Sequence, residues 1–220
     1  MPLTFNDIKS EIASAVNSDY RAGLLWARLH ERGAGYEAAH AYAIRVGTVT
    51  GNVLKKHQPE DLAEWDVDDL IPGTLGLNHT MVVAACAEAQ KNINTKARVG
   101  IRPQEPDFDG NRAFGLVAAV KERGAIGPAF YDQLTNFSQN VVDQSIRDNA
   151  DVQSGAGLHP KIVRTAEARC CKWCDDLAGT YDYDEVSNSG NPVWARHDNC
   201  RCLIEYIADK RERVNNYRRR

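Results

Sequence analysis

Five of the six cysteines in this 220-residue chain fall in two short clusters near its end. The first is Cys170-Cys171-Lys172-Trp173-Cys174, and the second is His197-Asp198-Asn199-Cys200-Arg201-Cys202. Cys171 and Cys174 form a CxxC pair; His197 and Cys200 form an HxxC pair, with Cys202 in reserve. Two intervening residues let both donor atoms of a turn face one ion, and thiolate and imidazole are the donors a Zn²⁺ ion takes readily. The spacing therefore predicts a tetrahedral site built from Cys171, Cys174, His197 and Cys200. Residues 175 to 196 would fold back as a hairpin to bring the pairs together. Four protein ligands leave no place for a metal-bound water, so the site is expected to be structural, with zinc as its ion.

Two other readings of the same thiols exist. They can be ordinary reduced cysteines, or a disulfide in an oxidising compartment. A CxxC can also be a redox pair, but that chemistry needs a strand before it and a helix after it. Here Asp175-Asp176-Leu177-Ala178-Gly179 reaches a glycine too soon for a long helix.

The segment Arg164-Thr165-Ala166-Glu167, the CxxC, Leu177-x-Gly179 and the ending His197-x-x-Cys200-Arg201-Cys202 together resemble a known pattern. It is the C-terminal signature of phage head morphogenesis proteins, the MuF-like minor head proteins of tailed phages. The resemblance covers about the last quarter of the chain. Asp198 stands where that family usually has proline, and Ala166 separates Thr165 from Glu167. The resemblance implies a minor structural protein of a phage head, acting near the portal during assembly or packaged inside the capsid. The portal, the major capsid protein or both would be its partners and the head of the virion its destination; with no phosphate loop, nucleotide-binding glycine fingerprint, GxSxG or HExxH motif in the chain, catalysis is not expected.

The elements that must carry this site are mostly helical by pattern. Phe5, Ile8, Ile12 and Val16 recur at helical spacing after a Thr4/Asp7 capping pair. A second helix is predicted from near Asp19 to a stop at Gly33, and a third from Tyr36 to about Lys56. In the third, Ala39, Ala43, Gly47 and Gly51 line one row, which would let another helix approach closely. His40 beside that row reads as a packed side chain. Residues 57 to 74 read as an acidic loop with a short turn at Leu62 to Trp65, without the glycine and glutamate of a calcium loop. Helix resumes from Leu75 to about Lys91, with Cys86 as a small core residue, and again up to Gly124. The last long helix is predicted from Pro128 to about Asn149.

Beyond Ser154-Gly155-Ala156-Gly157 the period shortens to that of strands, at Ile162 to Arg164 and Cys202 to Ile207. A hairpin is expected through Gly179 to Tyr183 and the Ser187-Asn188-Ser189-Gly190 turn, with Trp173 and Trp194 covering the metal. The predicted fold is mainly α with a small C-terminal α+β part: a helical region over 1–153, a zinc-stapled β-hairpin module over 158–207, and a basic tail over 208–220. A hairpin of this size buries too little apolar area to hold itself, so metal ligation would supply the missing folding energy.

Composition adds bounds. Hydrophobic residues make up 43% and charged residues 26%, the balance of a globular chain with a real core. No uninterrupted apolar run reaches the roughly 18 residues of a membrane span, and Met1 to Val16 lack the apolar centre of a secretory signal. No membrane partner is expected, and synthesis in a reducing host cytoplasm would favour metal over disulfides. The net charge of −3 hides six basic residues in the tail: Lys210, Arg211, Arg213, Arg218, Arg219 and Arg220. Such a tail permits DNA contact. The rival functions are thus a zinc-ribbon nucleic-acid-binding protein and an HNH-like nuclease. The second would need a further catalytic histidine pairing that residues 175 to 196 do not contain.

Overall fold

Thr4 opens the first helix, α1 (Phe5–Ser18), through a reciprocal cap in which its backbone N–H donates to the Asp7 carboxylate at 2.8 Å. Asp19 then caps α2 (Tyr20–Leu29) by accepting from the Ala22 N–H at 2.8 Å. The same carboxylate takes both Nε and Nη2 of Arg45, and this guanidinium brings the Asp19 pKa down to about 2. Gly33 lies in the turn after α2, and α3 follows (Tyr36–Lys56). The structure, a computed structural model, describes residues 1–168, 170–188, 190–197 and 200–208. The basic residues of the tail, Lys210 to Arg220, lie outside the described residues, as do Asp198, Asn199 and Ser189.

Helix α4 (Val67–Ala97) begins eight residues before the expected start at Leu75. Asp66 caps it by accepting from Asp69 N–H, and Pro72 sits inside its first turns. A proline there removes one helical hydrogen bond, but Leu70, Ile71, Thr74 and Leu75 around it are all buried, and that burial outweighs the lost bond. The acidic run is used rather than loose. Asp69 accepts the Phe5 N–H at 2.8 Å, Asp68 pairs with Lys121 at 2.5 Å, and a 3-10 turn at Leu62–Glu64 is bridged to Leu3. By length and composition alone α4 could cross a membrane, yet its buried residues belong to the common core of the bundle.

Helices α5 (Gly110–Arg123) and α6 (Pro128–Gly155) complete the bundle, with α3 at its centre touching α1, α2, α4 and α6. The small-residue row of α3 is what lets α6 in. A Cβ on Gly47 would lie 2.6 Å from the Thr135 Cα, whereas one on Gly51 would meet Tyr131 at an ordinary 3.7 Å. Gly47→Ala and Gly51→Ala gain the same helix propensity, about 1 kcal/mol. Gly47→Ala must nonetheless push two backbones apart and is expected to lose about 1–3 kcal/mol net. Gly51→Ala should be neutral or stabilising. Urea midpoints of the two variants check this contrast.

The C-terminal part is β1 (Lys161–Thr165), a short α7 (Lys172–Asp176), β2 (Gly179–Asp182), α8 (Tyr183–Val186), a 3-10 turn at Pro192–Trp194, and β3 (Leu203–Ile207). The three strands form an antiparallel sheet of order β2-β1-β3, with Arg164 of β1 opposite both Gly179 and Ile204. The mainly helical fold with a small C-terminal α+β part is as expected, and the segments expected to be extended at 162–164, 179–183 and 202–207 pair in one three-stranded sheet. Its middle strand precedes the CxxC, and residues 183 to 194 cross back through a helix and a turn instead of a β-arm. Ile162, Ile204 and Tyr206 share one apolar cluster with the helices. The expected boundary stretch 154–160 takes in the end of α6 at Gly155, and just before it Gln153 accepts a hydrogen bond from the Tyr206 hydroxyl of β3.

Candidate metal centre

Both donor pairs sit on tight turns at one end of the sheet. Cys171 caps α7 and its carbonyl accepts the Asp175 N–H at 3.1 Å, which turns Cys171 and Cys174 toward the same side. The His197 carbonyl accepts the Cys200 N–H at 3.1 Å, and this turn does the same for the second pair. The register of β1 against β3, with Thr165 opposite Leu203, brings the two turns together across the chain.

The donor atoms meet at Cys174. Its Sγ lies 3.1 Å from His197 Nε2 and 3.8 Å from Cys200 Sγ, while Cys171 Sγ lies 3.4 Å from the same imidazole nitrogen. Donors bound at tetrahedral angles to one zinc, with Zn–S of ~2.3 Å and Zn–N of ~2.0 Å, stand roughly 3.5–3.8 Å apart. Cys171, Cys174 and His197 form one triad of potential ligands, and Cys174, Cys200 and Cys202 form a second; in each, the donor atoms lie within 4.8 Å of one another. Three of the four residues expected from the spacing, Cys171, Cys174 and His197, share one triad, while Cys200 joins Cys174 and Cys202 in the other. This Cys/His cluster could hold a metal ion. Cys170 packs against the buried thiols without joining either triad.

Burial and close neighbours make the Cys174 thiol a poor anion without a cation. Burial, together with neighbouring Cys202 and Cys200, pushes the Cys174 pKa far up. Burial would also raise Cys202, but hydrogen bonds from Cys174 and from the Glu167 backbone turn its shift downward. The Cys174 and Cys202 thiols thus compete for a negative charge, which Cys202 carries more readily. A bound divalent cation removes that competition.

Two buried arginines that the spacing gave no reason to single out surround the sulfurs. Arg164 faces inward from β1, on the same side as Ile162, and sends Nη2 to Cys174 Sγ at 3.7 Å. Its Nη1 donates to the carbonyls of Val193 and Ala195 at 2.6 and 2.9 Å. Arg196 places Nη1 3.9 Å from Cys200 Sγ and 2.7 Å from the Cys202 carbonyl. Its Nε and Nη2 donate to both oxygens of Asp143 on α6, at 2.5 and 2.8 Å. Burial alone would raise the Asp143 pKa, but the guanidinium holds it well below the usual carboxylate range. His40 of α3 completes the group, 3.3 Å from Asp143 and buried, and burial lowers its own pKa. The packed role expected of His40 stands, with a carboxylate partner 103 positions away in sequence. In β1 the alternation of Lys161-Ile162-Val163-Arg164-Thr165 carried a signal, since it puts Arg164 on the face of Ile162; Arg196 and Asp143 carried none.

The two tryptophans part company. Trp173 stands at the site, its ring 5.9 Å from the His197 ring and 5.4 Å from the Arg164 guanidinium carbon. Trp194 does not cover the sulfurs as expected. Its indole N–H donates to the Val186 carbonyl, and its ring packs in the main core under Arg147 of α6. The 3-10 turn that carries it points it toward the bundle. No family model, no curated protein and no solved structure matches this chain.

Proposed function

We propose that the cluster is a structural zinc site that locks the C-terminal sheet onto the helical bundle, in a minor structural protein of a tailed-phage head. The observation that carries the metal reading is the Cys174 thiol, set between His197 Nε2 and Cys200 Sγ, which reach it from 23 and 26 positions away. Soft sulfur and imidazole donors suit zinc, and a site that four side chains would saturate suits a structural ion. Cys171, Cys174, His197 and Cys200 are the ligands, with Cys202 the alternative third thiolate. The head role rests on the resemblance of the Arg164 segment, the CxxC and the His-x-x-Cys-Arg-Cys ending to the MuF-like proteins. On that reading the protein acts near the portal or is packaged in the capsid, and the helical bundle is its docking body.

Elemental analysis of the purified chain tests the first part: one zinc per chain is expected, and none after Cys174→Ser. For the second part, tagged protein made during phage infection should sediment with heads and retain portal protein through purification. Protein found wholly free in the lysate would refute the assembly role while leaving the zinc site standing.

A further inference from the structure

Arg164 is 1% exposed, and a guanidinium is charged at any pH the protein meets. A buried cation needs a nearby anion, because an uncompensated charge in the interior is strongly destabilising. Among the described residues no carboxylate pairs with Arg164. Its partners there are the Pro192, Val193 and Ala195 carbonyls, the Trp173 ring and the Cys174 sulfur, and its Nε has no hydrogen-bond partner among the described residues. Arg196, the other buried guanidinium at the site, is already neutralised by Asp143.

We infer that Arg164 is the counter-ion of the metal centre, a positioning residue that fixes the centre as three thiolates and one imidazole around a divalent ion. This rests on the metal reading above and deepens it. A divalent ion with three thiolates and a neutral histidine carries a net charge of about −1, which one guanidinium balances. Two thiolates would leave the centre neutral and Arg164 uncompensated. Four would leave a surplus negative charge, since Asp143 already takes up Arg196. The contact geometry agrees, because the guanidinium N–H points at Cys174, the thiol common to both triads. Such outer contacts hold the sulfur in place and favour its ionised form, and their loss typically weakens metal binding by 10- to 100-fold.

The test uses the full-length chain, with Co²⁺ and Zn²⁺ as probes. In the wild-type protein loaded with Co²⁺, the sulfur-to-metal charge-transfer absorption should have the intensity of three thiolates in a tetrahedral field. An intensity of two or of four thiolates overturns the charge balance, and this reading needs no variant. Arg164→Gln should bind Zn²⁺ about 10- to 100-fold more weakly in competition with a chromophoric chelator, at unchanged stoichiometry. Arg164→Lys, which keeps the charge, should recover part of the loss. Wild-type affinity in Arg164→Gln makes Arg164 a packing group and sinks the proposal. A wild-type chain that binds neither ion refutes the zinc reading itself, a result distinct from either.

Discussion

Replacing Cys174 by serine is expected to have the largest effect of any single change, removing the ion and loosening the whole C-terminal sheet. Cys174 belongs to both donor triads, so its loss leaves His197 and Cys171 on one side and Cys200 and Cys202 on the other with no shared ligand. In small zinc modules the apparent binding free energy is about 10–16 kcal/mol at neutral pH, comparable to the total stability of a domain. Here part of the sheet is held independently, because Ile162, Ile204 and Tyr206 lie in the helical core. The expected cost is therefore at least about 4 kcal/mol, with the helices still folded. Hydrogen exchange should show protection lost across β1, β2 and β3 while α3, α4 and α6 keep theirs. Chelation of the wild-type protein should reproduce that pattern, and the buried control Cys86→Ser should not. Unchanged exchange in the sheet after chelation would mean that no ion holds it.

Asp143→Ala is expected to come next, at about 3–5 kcal/mol, because it strands the Arg196 guanidinium inside the protein. Both side chains are almost fully buried, and Arg196 ties the Cys200 and Cys202 segment to α6 through this one carboxylate. The desolvation penalty of Arg196 remains after the substitution, and its partner does not. Adding Arg196→Met to Asp143→Ala should recover a large part of the loss, since it removes the orphaned charge. Thermal denaturation of the two single variants and the double variant measures the coupling; additive losses would show that the pair is not a unit. The sign with pH follows from the direction of the Asp143 shift. Its folded pKa lies below the unfolded value of about 3.9, so its contribution is complete at neutral pH and fades as the pH falls below that value. Asp143→Ala should flatten that portion of the acid limb.

The helices were legible because their signals are local. The Thr4/Asp7 cap, the apolar period of α1 and the proline that opens α6 depend on neighbours within a turn or two. The start of α4 was not legible. Pro72 and the acidic run argue locally for a loop, and what overrides them is the burial of Leu70 and Ile71 together with contacts from Leu3 and Phe5 at the far end of the chain. The same reason explains Trp194, whose place depends on α6 and the Val186 carbonyl, not on its nearness in sequence to His197.

At the candidate site, the amino-acid sequence by itself determined the donors. Cys171 with Cys174, and His197 with Cys200, read as donor pairs because a turn of four residues presents its first and last side chains together, whatever surrounds it. Only the tertiary structure decided the environment of those donors. It raised Cys202 to equal standing, set Arg164 and Arg196 against the sulfurs, and drew Asp143 and His40 from two helices to answer Arg196. Short-range geometry is written in residue spacing, but the neutralisation of a buried charge depends on which distant segments the core brings within a few ångströms, and spacing along the chain does not record that.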